Sequence, residues 1–226
     1  MFSVDSNGHY NYDESYVGPI DIPMDIDSFD YLFANKVIRP GCYIRHCPHV
    51  KSARGMFSDA VLPKDFHLGE EFAASTLNDT SYMFCRCKGF NSEMLKDCQF
   101  SKVIMAAHMF RNCTIRNNIE FGSLLDVRCM FAYTTIEDGV EFGSYMLANA
   151  IDASRMFSHA VIKSANLFGN KFIIGARMRV LEMFSRAVMH KHLADVVANR
   201  CVYNGSMVRS VRTKRIKLDT ITLMEG

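Results

Sequence analysis

The residues best suited to chemistry cluster in CYIRHCPH, which places Cys42, His46, Cys47 and His49 within eight positions. Thiolate and imidazole are zinc ligands, and a Cys beside a His can form a nucleophile–base pair. The spacing Cys-x3-His-Cys-x-His is not that of a structural zinc site. With two of the four residues adjacent, all four do not reach one tetrahedral ion, so a structural loop without metal is expected. No Asn or Asp is indicated as an orienter for a catalytic imidazole. Cys85-x-Cys87 lacks the second pair of a zinc ribbon. Glu70 and Glu71 are adjacent, and Glu120 and Glu141 could align as a ladder. These carboxylates are expected to solvate a surface rather than to act as acid and base. The phosphate-loop pattern Gly-x-x-x-x-Gly-Lys is absent. The run from Arg209 to Lys217 holds Arg209, Arg212, Lys214, Arg215 and Lys217 without an acid. It could contact phosphates, but it carries no interleaved aromatic and the chain's formal net charge is only +2. Nucleic acid therefore ranks below an acidic protein partner or a solvated strand. The expectation is a non-enzyme with no cofactor and no metal.

Bulk properties set the frame for those residues. At 226 residues the chain can bury a substantial core. Its apolar content of 49% and charged content of 22% argue against wholesale disorder. No apolar run approaches the roughly 18 residues that span a bilayer. The opening MFSVDSNGHYNYDE has neither the basic nor the apolar region of a secretory signal. The expected setting is the cytoplasm, with the 8 cysteines as reduced thiols. Cys98, Cys113 and Cys129 sit among apolar residues and read as small core residues.

The element that must position everything else is a repeat. Met-Phe occurs at Met56, Met83, Met109, Met130, Met156 and Met183, with spacings of 27, 26, 21, 26 and 27. Four residues after each Met comes a small residue: Ala60, Cys87, Cys113, Thr134, Ala160 and Ala187. Met146-Leu147 with Ala150 is a weaker copy. Between several marks lies an apolar-x-apolar triplet ending in Gly or Ser: FHLG from Phe66, CQFS from Cys98, IEFG from Ile119, VEFG from Val140 and FIIG from Phe172. Alternation over three residues predicts a very short strand with one buried face, and the Gly is expected to permit the turn that ends it. The middle residues, His67, Gln99, Glu120, Glu141 and Ile173, should point outward. Stacked units bury what one unit cannot, with each Phe landing on the Phe of the previous coil.

The segment MFRNCTIRNNIEFGSLLDVRCMF, Met109 to Phe131, resembles one unit of the BspA-type leucine-rich repeat. The Met-Phe mark and its spacing also resemble the related bacterial surface protein 26-residue repeat. The resemblance covers about residues 53–193. It implies a β-rich, leucine-rich-repeat-like solenoid of short parallel strands that binds other proteins. Without a secretion signal or the family's Trp-Asp segment, the expectation is an intracellular, phage-encoded relative in the host cytoplasm.

Residues 1–52 are expected as a non-repeat N-terminal cap, with a strand and short helix in PIDIPMDIDSFDYLF. Residues 194–226 are expected as a C-terminal cap: a short helix, then a basic strand or hairpin. The position three after each Met varies: Asp59, Arg86, Asn112, Tyr133, His159 and Arg186. In a solenoid these form a row, and Arg and Tyr are typical interface anchors. A second candidate surface is the row His67, Gln99, Glu120 and Glu141. The functional expectation is a protein-binding module acting as an anti-defence inhibitor that sterically blocks a host nuclease, toxin or CRISPR effector. The alternative is a structural subunit of a larger assembly such as a virion.

Overall fold

The structure is a computed structural model that describes residues 1–6, 9–69, 72, 76–96, 98–204, 216, 218 and 220–224. At its centre is a column of rings. Phe33, Phe57, Phe84, Phe110, Phe131, Phe157 and Phe184 are all fully buried. Neighbouring rings lie 5.3, 5.5, 5.8, 5.6, 5.5 and 5.1 Å apart along the column, with their planes within 5 to 10° of parallel. That rise is close to the roughly 5 Å between hydrogen-bonded strands. The rings stack because the backbones that carry them pair in parallel, one copy to the next. A second ring from the same copy packs against each of five column members: Phe66, Phe90, Phe121, Phe142 and Phe168.

The pairing follows from a complete use of backbone donors. In the copy at Met56, the N–H groups of Met56, Ser58 and Ala60 donate within the turn to the carbonyls of Ala53, Gly55 and Phe57. Alternating with them, Gly55, Phe57 and Asp59 donate to Ser81, Met83 and Cys85 of the next copy. The same alternation recurs in the copies at Met83, Met109, Met130 and Met156. In the copy at Met56 every turn donor from Ala53 to Ala60 has an acceptor, as a buried backbone requires. The geometry forces a left-handed backbone at two positions per copy, one before the Met and three after it. The first set is Tyr31, Gly55, Tyr82, His108, Cys129, Arg155 and Glu182; the second is Asn35, Asp59, Arg86, Asn112, Tyr133, His159 and Arg186. Every non-glycine residue with positive φ among the described residues belongs to one of these sets.

Left-handed backbone costs a residue with a Cβ about 1–2 kcal/mol. Inter-copy hydrogen bonds offset it here. Asn112 is exposed at φ +62°, so its conformation can be tested with little else disturbed. Asn112→Val is expected to lower unfolding free energy by about 1–2 kcal/mol, because a β-branched side chain fits this region worst. Asn112→Gly should hold or slightly raise stability. Urea unfolding of the two variants checks the difference.

The chain opens on an antiparallel hairpin of β1 (Phe2–Val4) and β2 (Tyr10–Tyr12), whose Phe2 and Tyr12 rings cover the end ring Phe33. Next come β3 (Pro19–Asp21) and β4 (Tyr43–His46), paired in parallel. Then follow β5 (Thr114–Ile115), β6 (Thr135–Ile136), β7 (Val161–Ile162), β8 (Phe172–Gly175) and β9 (Val188–His190). Helix α1 (Lys191–Asn199), β10 (Cys201–Asn204) and β11 (Thr222–Met224) close the order. The sheet β5–β6–β7–β9–β11 is wholly parallel. A second parallel ladder of single bridges runs Ser52, Asp79, Met105, Asp126, Asp152, Arg179. A third, broken series holds β3–β4, Ile44–Leu68, Phe100–Phe121, Leu147–Ile174 and β8–β10. No closed barrel is seen among the described residues.

Several expectations change against these facts. The segment 1–52 contains a seventh copy at Leu32-Phe33, with Phe33 N–H donating to Met56; Leu fills the volume Met fills elsewhere. Residues 24–35 run as turns rather than a short helix. Met146-Leu147 does not join the ring column, because Leu147 bridges to Ile174 in the third series. Ile173 is buried rather than outward, because all four residues of β8 are covered and β10 pairs beside it. The Gly after the triplet does not mainly serve a turn. At Gly122 a Cβ would lie 1.9 Å from the Ser101 carbonyl oxygen of the preceding copy. Close backbone approach is what excludes a side chain there. At the C-terminal end the helix begins at Lys191. Of the expected basic strand or hairpin, β11 is described, and it pairs in parallel with β9. The basic run Arg209–Lys217 lies outside the described residues apart from Ile216, and Glu70 and Glu71 also lie outside them.

Candidate functional site: the turn edge

Both left-handed sets emerge on the same edge, since they flank the buried Met-Phe pair of each turn. A left-handed residue turns its side chain away from the buried Met-Phe pair, so chain geometry rather than residue type aligns these side chains. Arg86, Asn112, Tyr133 and Arg186 are exposed, and His159 is half-buried. Tyr133 is 48% exposed, a large ring left open to solvent.

The side chains also pair along the edge. The Arg86 guanidinium donates two hydrogen bonds to the Asp59 carboxylate, at 2.7 and 2.8 Å. It thereby holds the Asp59 carboxyl below its usual pKa. Tyr133 stacks on His159 at 4.6 Å, and Tyr82 stacks on His108 at 4.5 Å. Arg155 pairs with Glu182 at 2.7 Å. Arg54 lies over the Tyr82 ring at 5.4 Å and donates to the Tyr31 hydroxyl. Burial, then the charges of Arg111 and Arg128, push the His108 imidazole below its usual pKa. A deeper row supports the turns. The Asp79, Asp126 and Asp152 carboxylates accept the N–H groups of Ser81, Arg128 and Ser154 two residues on.

The small-residue position works as the inner side of the same turn. Ala60, Thr134, Ala160 and Ala187 are essentially fully buried. Thr134 Oγ1 donates to the Phe110 carbonyl at 2.6 Å, and Cys113 Sγ donates to the Phe84 carbonyl at 3.1 Å. Each therefore reaches one copy back. Burial pushes the Cys87 thiol up to about 12 and Cys201 up to about 11. Thiols so shifted carry little thiolate near neutrality.

The second candidate row is brought together only in part. His67, Gln99, Glu120 and Glu141 are all exposed. Phe100 bridges to Phe121, which sets Gln99 beside Glu120. Leu68 bridges back to Ile44 instead, and His67 stacks on Tyr43 at 4.7 Å. Among the described residues no bridge links Leu68 to Phe100 or Phe121 to Phe142, so these four side chains form no continuous line. In the gap sits the 3-10 helix Ser92–Leu95 and a cleft of about 520 Å³ lined by residues including His46, His67, Glu93 and Lys96. In CYIRHCPH, Cys42 and Cys47 are buried while His46 and His49 are exposed. Cys42 Sγ accepts from the Tyr12 hydroxyl and donates to the Tyr16 carbonyl. Among the described residues no group of three or more His, Cys, Asp or Glu stands where it could hold one metal ion. Among them, too, no helix is long and apolar enough to cross a membrane.

Comparison with protein-family models, with curated proteins and with solved structures finds no match. Sequence reasoning located the row three after each Met but missed the row one before it. It also missed the supporting aspartates, although Asp79, Asp126 and Asp152 each stand four residues before a Met.

Proposed function

We propose that the chain is a short β-solenoid that binds a protein partner through its turn edge. The observation that carries this is the continuity of the edge over seven copies, in contrast to the interrupted sheet row. Asp59–Arg86 and Arg155–Glu182 are held by ion pairs and Tyr82–His108 and Tyr133–His159 by ring stacks, so these side chains have little rotamer freedom left to lose on docking. The exposed set includes Arg86, Tyr133, Arg155 and Arg186, and Arg and Tyr concentrate in binding hot spots. A rigid edge of this kind acts sterically, covering an active or substrate surface of its partner, as an inhibitor does.

The test is affinity purification of the wild type beside the triple variant Arg86→Ala, Tyr133→Ala, Arg186→Ala, each with its urea midpoint measured. The expected outcome is a saturable partner captured by the wild type and weakened at least about 100-fold in the variant, from hot-spot losses of roughly 2 kcal/mol each. Equal capture by a folded triple variant would remove the edge as the interface. A variant of Gln99, Glu120 and Glu141 to Ala is expected to bind as the wild type does.

A further inference from the structure

The arginines of the edge are not equivalent. Arg54 lies 3.8 Å from Asp79, Arg86 2.7 Å from Asp59, Arg128 2.6 Å from Asp126 and Arg155 2.7 Å from Glu182. Arg186 pairs with no carboxylate among the described residues, and neither does Arg111, which stands beside the row, two residues after Met109. The Arg111 guanidinium makes no ion pair and no hydrogen bond among the described residues. It lies over the face of Tyr133, 5.3 Å from the ring centroid. Tyr133 is in turn held by its stack on His159.

A guanidinium laid over a ring is fixed in orientation without using its N–H groups. All five donors remain in its plane, in the fork that matches a carboxylate. Arg86 stands one copy back, its N–H donating to the Arg111 carbonyl. The charges of Arg111, Arg128 and Arg86 all act on His108, which the Tyr82 stack pins beside them. The positive charge of Arg111 is thus positioned and uncompensated.

We infer that Arg111 is the anchor for a carboxylate of an acidic protein segment, gripped bidentately at the rim of the Tyr133–His159 stack. This rests on the reading of the turn edge as the partner surface. A continuous polyphosphate fits less well. Asp59 and Glu182 lie among the arginines along the same edge, so a backbone charged at every step would meet an anion on either side of Arg111. A protein segment can place single carboxylates where the cation is free.

The probe is a fluorescein-labelled hexaglutamate peptide followed by anisotropy, with a labelled oligothymidylate of equal charge as comparator. Wild type is expected to bind the peptide saturably and more tightly than the oligonucleotide. Arg111→Gln should weaken the peptide about tenfold or more, the loss of a charge-assisted bidentate contact. Arg111→Lys should recover part of it, and Lys171→Gln, an exposed lysine elsewhere, should change little. Equal urea midpoints establish that the variants fold. Unchanged peptide affinity in Arg111→Gln, tighter binding of oligothymidylate, or no binding of either probe would overturn the inference. The two readings separate cleanly: if the triple variant loses the captured partner while Arg111→Gln keeps it, the edge stands and the carboxylate anchor falls.

Discussion

Phe131→Ala is expected to lower the unfolding free energy by about 4 kcal/mol, near the upper range for large-to-small core changes. The ring is fully buried. It stacks on Phe110 at 5.6 Å and Phe157 at 5.5 Å and packs against Phe142 at 4.9 Å. Truncation removes the transfer term and leaves a cavity whose walls are backbones fixed by inter-copy hydrogen bonds, so collapse is limited. Each lost ring pair adds to the burial term, by about 0.5–1.5 kcal/mol. Phe184→Ala should cost less: among the described residues its ring pairs only with Phe157. Urea unfolding followed by circular dichroism reads both. Equal losses at the two positions would mean that the column is not a stack of mutually supporting rings.

Gly122→Ala is expected to cost on the order of 3 kcal/mol or more, which places it among the diagnostic losses caused by backbone strain. The added methyl would meet the Ser101 carbonyl oxygen at 1.9 Å, with the carbonyl carbon at 2.7 Å. Neither is the end of a flexible side chain. Phe100 bridges to Phe121 beside them, and the Gly122 N–H donates to the Phe100 carbonyl. The two copies must separate or the substitution must strain. Gly143→Ala is the contrast. Gly143 has φ +76° with nothing within 4 Å of its added Cβ, so only the conformational cost applies, about 1 kcal/mol. If the glycines served turns alone, the two substitutions would cost the same.

The contrast between these glycines shows where sequence reasoning stops. A Gly after an apolar triplet looks alike at both places, since the pattern does not say whether a carbonyl of another copy lies opposite. The Met-Phe spacing and the small residue four later were legible because burial restricts residue type at those positions. Leu32-Phe33 escaped because Leu replaces Met and Lys36 replaces the small residue. The left-handed turns were invisible for a different reason. Glycine usually marks such backbone, but here only Gly55 does so among the fourteen turn positions. Inter-copy hydrogen bonds let Asn, Asp, Arg, Tyr, His, Cys and Glu take the rest. The row through Arg86 and Tyr133 could be named from spacing. Its internal pairing could not, because Asp59–Arg86 and Tyr133–His159 depend on register between residues 27 and 26 apart.

That register also explains how the edge can be both self-paired and available. Pairing along the row covers faces and leaves outward edges open, as with the Tyr133 ring, which lies between Arg111 and His159 and is still exposed. It fixes side chains that would otherwise be among the most mobile on the surface. The proposed interface is therefore a product of the same inter-copy geometry that stacks the phenylalanines.

Hydroxyl-radical footprinting of the chain alone and with its captured partner tests that account most directly, since Tyr, His and Cys side chains report on solvent access. The predicted result is protection of Tyr82, His108, Cys129, Tyr133 and His159 on the edge, with Tyr43, His67 and Tyr145 unchanged. Protection at Tyr43, His67 or Tyr145 with Tyr133 unaltered would contradict it.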